Sequence, residues 1–253
     1  MGQREVLGAY LDTGLMQQAL IILPILVPVI FWAAYHYHKD RHLPEPARNL
    51  FLCFVLGIGS AGLSKLMYIG LEPLGLRYDA VALAIDNPLG LLVFALLAIG
   101  PIEEAAKMLP FVLIVLRFKA FDERLDGIIY ASFIGLGYAA AENVHYADFL
   151  TPLAATARGF ASPVIHILFA SIWAHSVTRA WQDGSNIILP AVLGFLLSAS
   201  LHGIYDFLIL LAPQSALPIA ASMIIGIWIW RLFLMRRLHQ EAIRRSEDEP
   251  RIP

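Results

Sequence analysis

The sequence predicts an all-α membrane protein, a bundle of about seven transmembrane helices joined by short loops, and three observations lead there. The 253 residues are 58% hydrophobic and 15% charged, with a mean hydropathy of +0.68, whereas soluble domains average about 25% charged residues. Seven apolar runs, at roughly 16–35, 50–70, 89–116, 127–147, 161–180, 187–211 and 216–235, are close to the roughly 20 residues a helix needs to cross a hydrocarbon core of about 30 Å. Lys and Arg collect on alternate connections: Lys39, Arg41 and Arg48, then Arg117, Lys119 and Arg124, then Arg179, then Arg231, Arg236, Arg237, Arg244, Arg245 and Arg251, against only Arg4, Arg77 and Arg158 on the other side. Such a bias sets orientation, so the N-terminus is placed outside and the C-terminus in the cytoplasm. With no repeat and no low-complexity linker, 1–253 reads as a single integral membrane domain, its core 16–235 and its charged cytoplasmic tail 236–253.

Composition also excludes. A net charge of −2 without a basic stripe, phosphate loop or zinc-finger spacing leaves no nucleic-acid footprint. Cys53 is the single cysteine, so an intramolecular disulfide is impossible, and its apolar surroundings make it a packing residue. No cleavable signal peptide is expected: Arg4, Glu5 and Asp12 precede a first run too long for a signal h-region.

Taken in order, the first helix carries Pro24 and Pro28 and ends in Tyr35-His36-Tyr37-His38, an interfacial cluster. A charged turn, Lys39 to Pro46, leads to the second, whose Gly57, Gly59, Ala61 and Gly62 permit close helix approach. The acids Glu72, Asp79 and Asp86 break the stretch 71–88 into short apolar pieces, read as an outer loop in preference to an interfacial segment. The third run holds Glu103, Glu104 and Lys107 near its middle, where a charge costs about 2.5 to 3.5 kcal/mol on insertion scales. Gly100-Pro101 predicts a fresh helical start at Ile102. Both glutamates then occupy a first turn, where free amides and the helix dipole favour carboxylates, and Lys107 shares a face with Glu103. An ion pair that only fixes packing is the alternative.

The fourth helix starts at Asp126 as N-cap and runs through Gly135, Gly137 and a string of alanines to Glu142-Asn143, with Tyr138 and Tyr146 placed to donate to Glu142. The fifth, from about Pro163, carries His166 and His175. The sixth sets His202 and Asp206 at i,i+4 on one face, and the seventh is an apolar anchor with Trp228 and Trp230. Four helices thus each contribute an ionisable group at middle to outer depth. A shared polar cavity explains this more simply than several unrelated packing accidents.

These motifs resemble the PrsW-type intramembrane proteases, relatives of the CAAX prenyl endopeptidase superfamily. The matching pieces are Asp40-Arg41-His42 with Glu45-Pro46, Glu103-Glu104-Ala105-Ala106-Lys107 as EExxK, Asp126-Gly127, Gly137 to Asn143, His166 after a proline, and His202 to Asp206 as HxxxD. Tyr138 stands where that family often has Phe, and in the CAAX branch a His commonly occupies the place of Glu142. The resemblance implies an enzyme of the bacterial inner or plasma membrane that cuts a single-pass membrane protein in or near its membrane segment, in the manner of site-1 cleavage of an anti-sigma factor. Its catalytic set would be Glu103, Glu104, Lys107, Glu142, Asn143, His166, His202 and Asp206, with Glu103 or Glu104 as base. Around Lys107 alone the four acids would leave a net −3, so protons or a divalent ion are required. Zinc held by Glu142, His166 and His202 is the favoured cofactor. A proton-coupled transporter and a non-catalytic membrane scaffold are the rival readings. The depths at which the groups fall predict cleavage toward the extracytoplasmic end of the substrate segment.

Overall fold

The computed structural model describes residues 22–39, 44–211 and 213–248, and among these no strand occurs. Residues 16–21 of the first predicted run, the loop Asp40-Arg41-His42 and the last five tail residues, 249–253, lie outside the described residues. The helices are α1 (22–39), α2 (Ala47–Gly70), α3 (Ala80–Asp86), α4 (Pro88–Phe94), a π segment (Ala95–Ile99), α5 (Gly100–Leu113), α6 (Arg124–Tyr146), α7 (Pro152–Gln182), α8 (Ile188–Leu211) and α9 (Pro213–Asp248). Five described stretches are long and apolar enough to cross a membrane: Ala47–Leu74, Pro88–Arg117, Pro152–Gln182, Ile188–Leu211 and Pro218–Arg244. The chain is an integral membrane protein of helical architecture.

The centre of the bundle is α6, buried along most of its length against α2 and α7. Being wrapped in protein, it needs no lipid-facing apolar surface, and so tolerates Gly135, Gly137, Tyr138 and Glu142. Lipid offers little drive for apolar faces to meet, so contact relies on close backbone approach. A side chain on Gly137 would collide with the Phe54 carbonyl of α2, and one on Gly135 with the His166 backbone of α7. An apolar cluster including Leu50, Phe111, Val115, Ile129 and Trp173 closes the end where α2 begins and α5 finishes.

Four local expectations are corrected. Stretch 71–88 is not a plain loop: Asp79 caps α3 by accepting from the amides of Val81 (2.9 Å) and Ala82 (3.1 Å), and Asn87 caps α4 through Gly90 N–H at 2.9 Å. Asp126 is not the N-cap of α6. Glu123 is, and Asp126 returns the bond from the third helical position as the other half of a capping box. Helix α7 begins at Pro152, eleven residues before Pro163, which it absorbs in its interior. Finally, no fresh start occurs at Ile102. The backbone stays helical through Ile99 and Gly100, and the Gly100 amide reaches back to the Ala95 carbonyl in a π turn. The widened turn lies just ahead of Pro101, which brings no amide hydrogen of its own.

Candidate active site

That π segment sets the helical phase of everything after it. Helix α8 packs directly on it: a Cβ on Gly203 would strike the Ala95 carbonyl, and one on Gly100 would strike the Ala199 carbonyl. The close crossing brings the His202 face of α8 against the Glu103-Glu104 face of α5. Helices α6 and α7 bring Glu142 and His166 to the same region from the other side.

Glu104 is the most enclosed of the carboxylates, with no exposed surface. One of its oxygens accepts from Lys107 Nζ (2.6 Å) and His202 Nδ1 (2.7 Å), and the other accepts from the Trp173 indole N–H (2.8 Å). Three donors from three helices occupy both oxygens. The expected same-face partnership of Lys107 with Glu103 is therefore replaced by a pair with Glu104 at i,i+3. With the backbone continuous through Gly100, these side-chain donors, and not free amides at a helix start, compensate the carboxylate.

The remaining proton positions follow from donor and acceptor capacity. The Lys107 ammonium has only hydrogens to offer, so its 3.0 Å contact to His166 Nδ1 makes that nitrogen an acceptor, and His166 Nε2–H donates to Glu142 at 2.9 Å. An ionised Glu104 takes the Nδ1–H of His202, so the ring has a lone pair at Nε2 only in its neutral form. This Nε2 lies 3.6 Å from Glu103 Oε2 and 3.6 Å from Asp206 Oδ2. The His202 ring is held by stacking on Phe169 with centroids 4.8 Å apart.

Glu103 differs from Glu104 in having spare capacity. Its Oε1 accepts a long 3.5 Å bond from Tyr68 OH, while its buried Oε2 has no hydrogen-bond partner among the described residues. The structure thus brings together Glu103, Glu104, Lys107, Glu142, His166, His202 and Asp206. Asn143 is buried nearby on α6, but neither atom of its amide finds a partner among the described residues. Tyr138 and Tyr146 do not donate to Glu142: Tyr138 OH pairs with Ser64 Oγ at 2.9 Å, and the Tyr146 ring lies 4.0 Å beneath the Arg158 guanidinium.

Three contributors escaped the sequence reading. Trp173 holds Glu104, Arg158 pairs with Glu142 at 2.9 Å, and Tyr68 touches Glu103. The signal for two of them was present: Arg158, His166 and Trp173 recur at spacings of eight and seven on one face of α7. Tyr68 carries no such mark. With Arg158 counted, four carboxylates face two fixed cations, and two positive charges are still lacking.

A divalent ion fits this deficit. One ligand atom each from Glu103, His166 and His202 lie within 4.8 Å of one another, and a carboxylate with two imidazoles is a zinc-protease donor set. The unpartnered Oε2 of Glu103 and the Nε2 lone pair of a neutral His202 are free to serve. His166 would exchange one present partner, Lys107 or Glu142, for the ion. Glu142, which the sequence also placed among the ligands, contacts His166 and Arg158.

Comparison with known proteins agrees with this chemistry. A family model described as PrsW family intramembrane metalloprotease matches residues 45–235. A protein named Protease PrsW from Clostridioides difficile (strain 630) is 28% identical over 215 residues, covering 83% of this chain and 85% of the relative. Its namesake from Oceanobacillus iheyensis is 27% identical, covering 86% and 95%, and that from Bacillus subtilis (strain 168) is 27% identical, covering 75% and 82%. No solved structure matches the chain.

Proposed function

This chain belongs to the PrsW family of intramembrane metalloproteases, and on that premise we propose that it cuts a single-pass membrane protein in the outer half of its membrane segment, with Glu103 facing the reacting centre and Glu104 positioning the groups around it. The observation that carries this reading is the asymmetry between the two neighbouring glutamates. Glu104 has both oxygens occupied by Lys107, His202 and Trp173, whereas Glu103 Oε2 has no hydrogen bond among the described residues and lies 3.6 Å from His202 Nε2.

Each side chain then has a task. Glu103, His166 and His202 are the residues that would hold the metal. When bound, it would supply a water of lowered pKa and a Lewis acid for the scissile carbonyl. Glu104 keeps the His202 proton on Nδ1 and so turns Nε2 toward the reacting centre, the carboxylate–histidine arrangement that tunes metal ligands elsewhere. Lys107 neutralises Glu104. Asp206, close to His202 Nε2 and more exposed than Glu103, takes a proton from the attacking water and returns it to the departing amine. Glu142, anchored by Arg158, orients His166.

The wider assignment rests on composition and resemblance. We place the protein in a bacterial inner or plasma membrane as one domain, with the N-terminus outside and the C-terminus cytoplasmic. The first helix and α6 join the five apolar stretches to make seven crossings. The substrate class is a single-span regulator of the anti-sigma type. The test is cleavage of such a membrane-anchored substrate by purified, reconstituted protein. Loss of cleavage in Glu103→Gln and on chelation is expected. Full cleavage by Glu103→Gln would overturn the assignment.

A further inference from the structure

A cavity of about 550 Å³ opens beside the π segment, walled by α3, α4 and the end of α2. Its volume lies within the roughly 300 to 1,000 Å³ of ligand clefts. Phe94 and Ala98 form its floor, Leu71 and Leu83 stand as walls, and Val93 and Leu97 lie at its rim, 50% and 75% exposed. We infer that this groove receives one face of the substrate's apolar membrane segment and feeds it to Glu103, an assignment that rests on the protease reading above.

Continuity with the candidate active site selects this occupant. The floor residues Phe94 and Ala98 pack in one cluster with Ile99, Ile102 and Tyr68, and the Tyr68 hydroxyl reaches Glu103 at 3.5 Å. One apolar cluster therefore links the groove floor to the Tyr68–Glu103 contact. Groove and carboxylate also share a helix: Ala98 precedes Glu103 by five residues, roughly 8 Å along the axis at about 1.5 Å per residue. An extended chain covers that span in two or three residues at about 3.3 Å each. Five residues at about 100° each also put Glu103 about 140° round the helix from Ala98. A segment seated on Phe94 and Ala98 must therefore unwind and pass round α5 to present a carbonyl at Glu103, with Tyr68 bridging the two faces. The groove is mostly apolar and carries no charged side chain, its polar groups being Tyr78 and the capping Asn87, so it suits an apolar occupant. An acyl chain would fill it without any use for its connection to Glu103.

The experiment uses the full-length, reconstituted Glu103→Gln variant, in which the probe survives uncut. The probe is a biotinylated Leu/Ala peptide of about 20 apolar residues with lysine ends and a central Gly-Pro break, long enough to span. A photo-reactive phenylalanine analogue replaces Leu97 in one preparation and Phe233, 66% exposed on α9, in another. Capture of the peptide at position 97, absent at 233 and abolished by the added substitution Val93→Trp, is the expected result. Equal capture at both positions, no capture at either, or capture of phospholipid at 97 with the peptide excluded would overturn the inference. A second measurement guards against a misfolded Val93→Trp: in the otherwise native enzyme it should raise KM by about tenfold with kcat retained. An unchanged KM would contradict the groove assignment. Capture does not depend on turnover, so failure of the protease reading, seen as no cleavage by the native enzyme, is separable from failure of the groove.

Discussion

At the scale of single residues, the chemistry depends on how three donors lock Glu104. Trp173 contributes one bond from a fully buried ring that packs edge-on against Phe111, 5.2 Å between centroids. Trp173→Phe removes the N–H and keeps most of the packing. It should weaken zinc binding by about tenfold, within the range of about 10- to 100-fold for outer-shell changes, while leaving thermal unfolding close to that of the native protein. Titration with zinc, or with cobalt followed by its absorption, measures this directly. An unchanged affinity would show that Glu104 does not steer His202. Removing one member of the buried Glu104–Lys107 pair strands the other charge, which costs about 3 to 5 kcal/mol. Glu104→Gln and Lys107→Met should therefore each lower the unfolding temperature. The double variant should recover much of the stability but little of the activity, a non-additivity that contacting residues characteristically show. The sequence announced the charged residues because ionisable groups in apolar runs are conspicuous. It could not announce that Lys107 turns to Glu104 and not Glu103, since i+3 and i+4 are both within reach, and only the partners on α7 and α8 decide.

At the scale of elements, the π segment and the small residues facing it set the site's geometry. Deleting Leu96 would return Ala95–Ile99 to α-helical geometry and remove the widened turn on which α8 packs. We expect a folded, inactive protein in which the Gly203 face of α8 no longer seats against Ala95. Retained cleavage would show the widened turn to be dispensable. Gly203→Ala should cost both stability and activity, because its new methyl meets the Ala95 carbonyl, which is backbone and cannot rotate away. Here the sequence was partly legible. The apolar runs and their order marked the long helices, and Gly100-Pro101 marked the irregularity. What the run could not disclose was its form, because a proline in a membrane helix is met by a break, a kink or a widened turn according to what packs beside it. The short helix α3 was missed for a related reason: Asp79 looks like a loop residue until the amides it caps are seen.

At the scale of the whole molecule, the polar cluster around Glu103 is linked to the groove on the α3–α4 side through Tyr68 and its apolar neighbours. The proposed orientation predicts a scissile bond in the outer half of the substrate segment, to be read by mass spectrometry of both fragments; a cut on the cytoplasmic side would refute it. The number of crossings was less legible than their existence, because α6 is sheathed by protein and its composition reflects neighbours more than lipid. The two adjacent glutamates are assigned divided roles, Glu103 holding the metal at the reacting centre and Glu104 positioning the groups around it. The most direct measurement of this division is single-turnover cleavage of a membrane-anchored substrate together with stoichiometric metal content, compared for the native protein, Glu103→Asp and the double variant Glu104→Gln/Lys107→Met. The account predicts that Glu103→Asp, which keeps the charge but withdraws the oxygen, folds normally yet loses metal and cleavage together. The double variant should retain measurable metal but cleave slowly, with His202 no longer held. A Glu103→Asp protein that cleaves as fast as the native one without bound metal would contradict it.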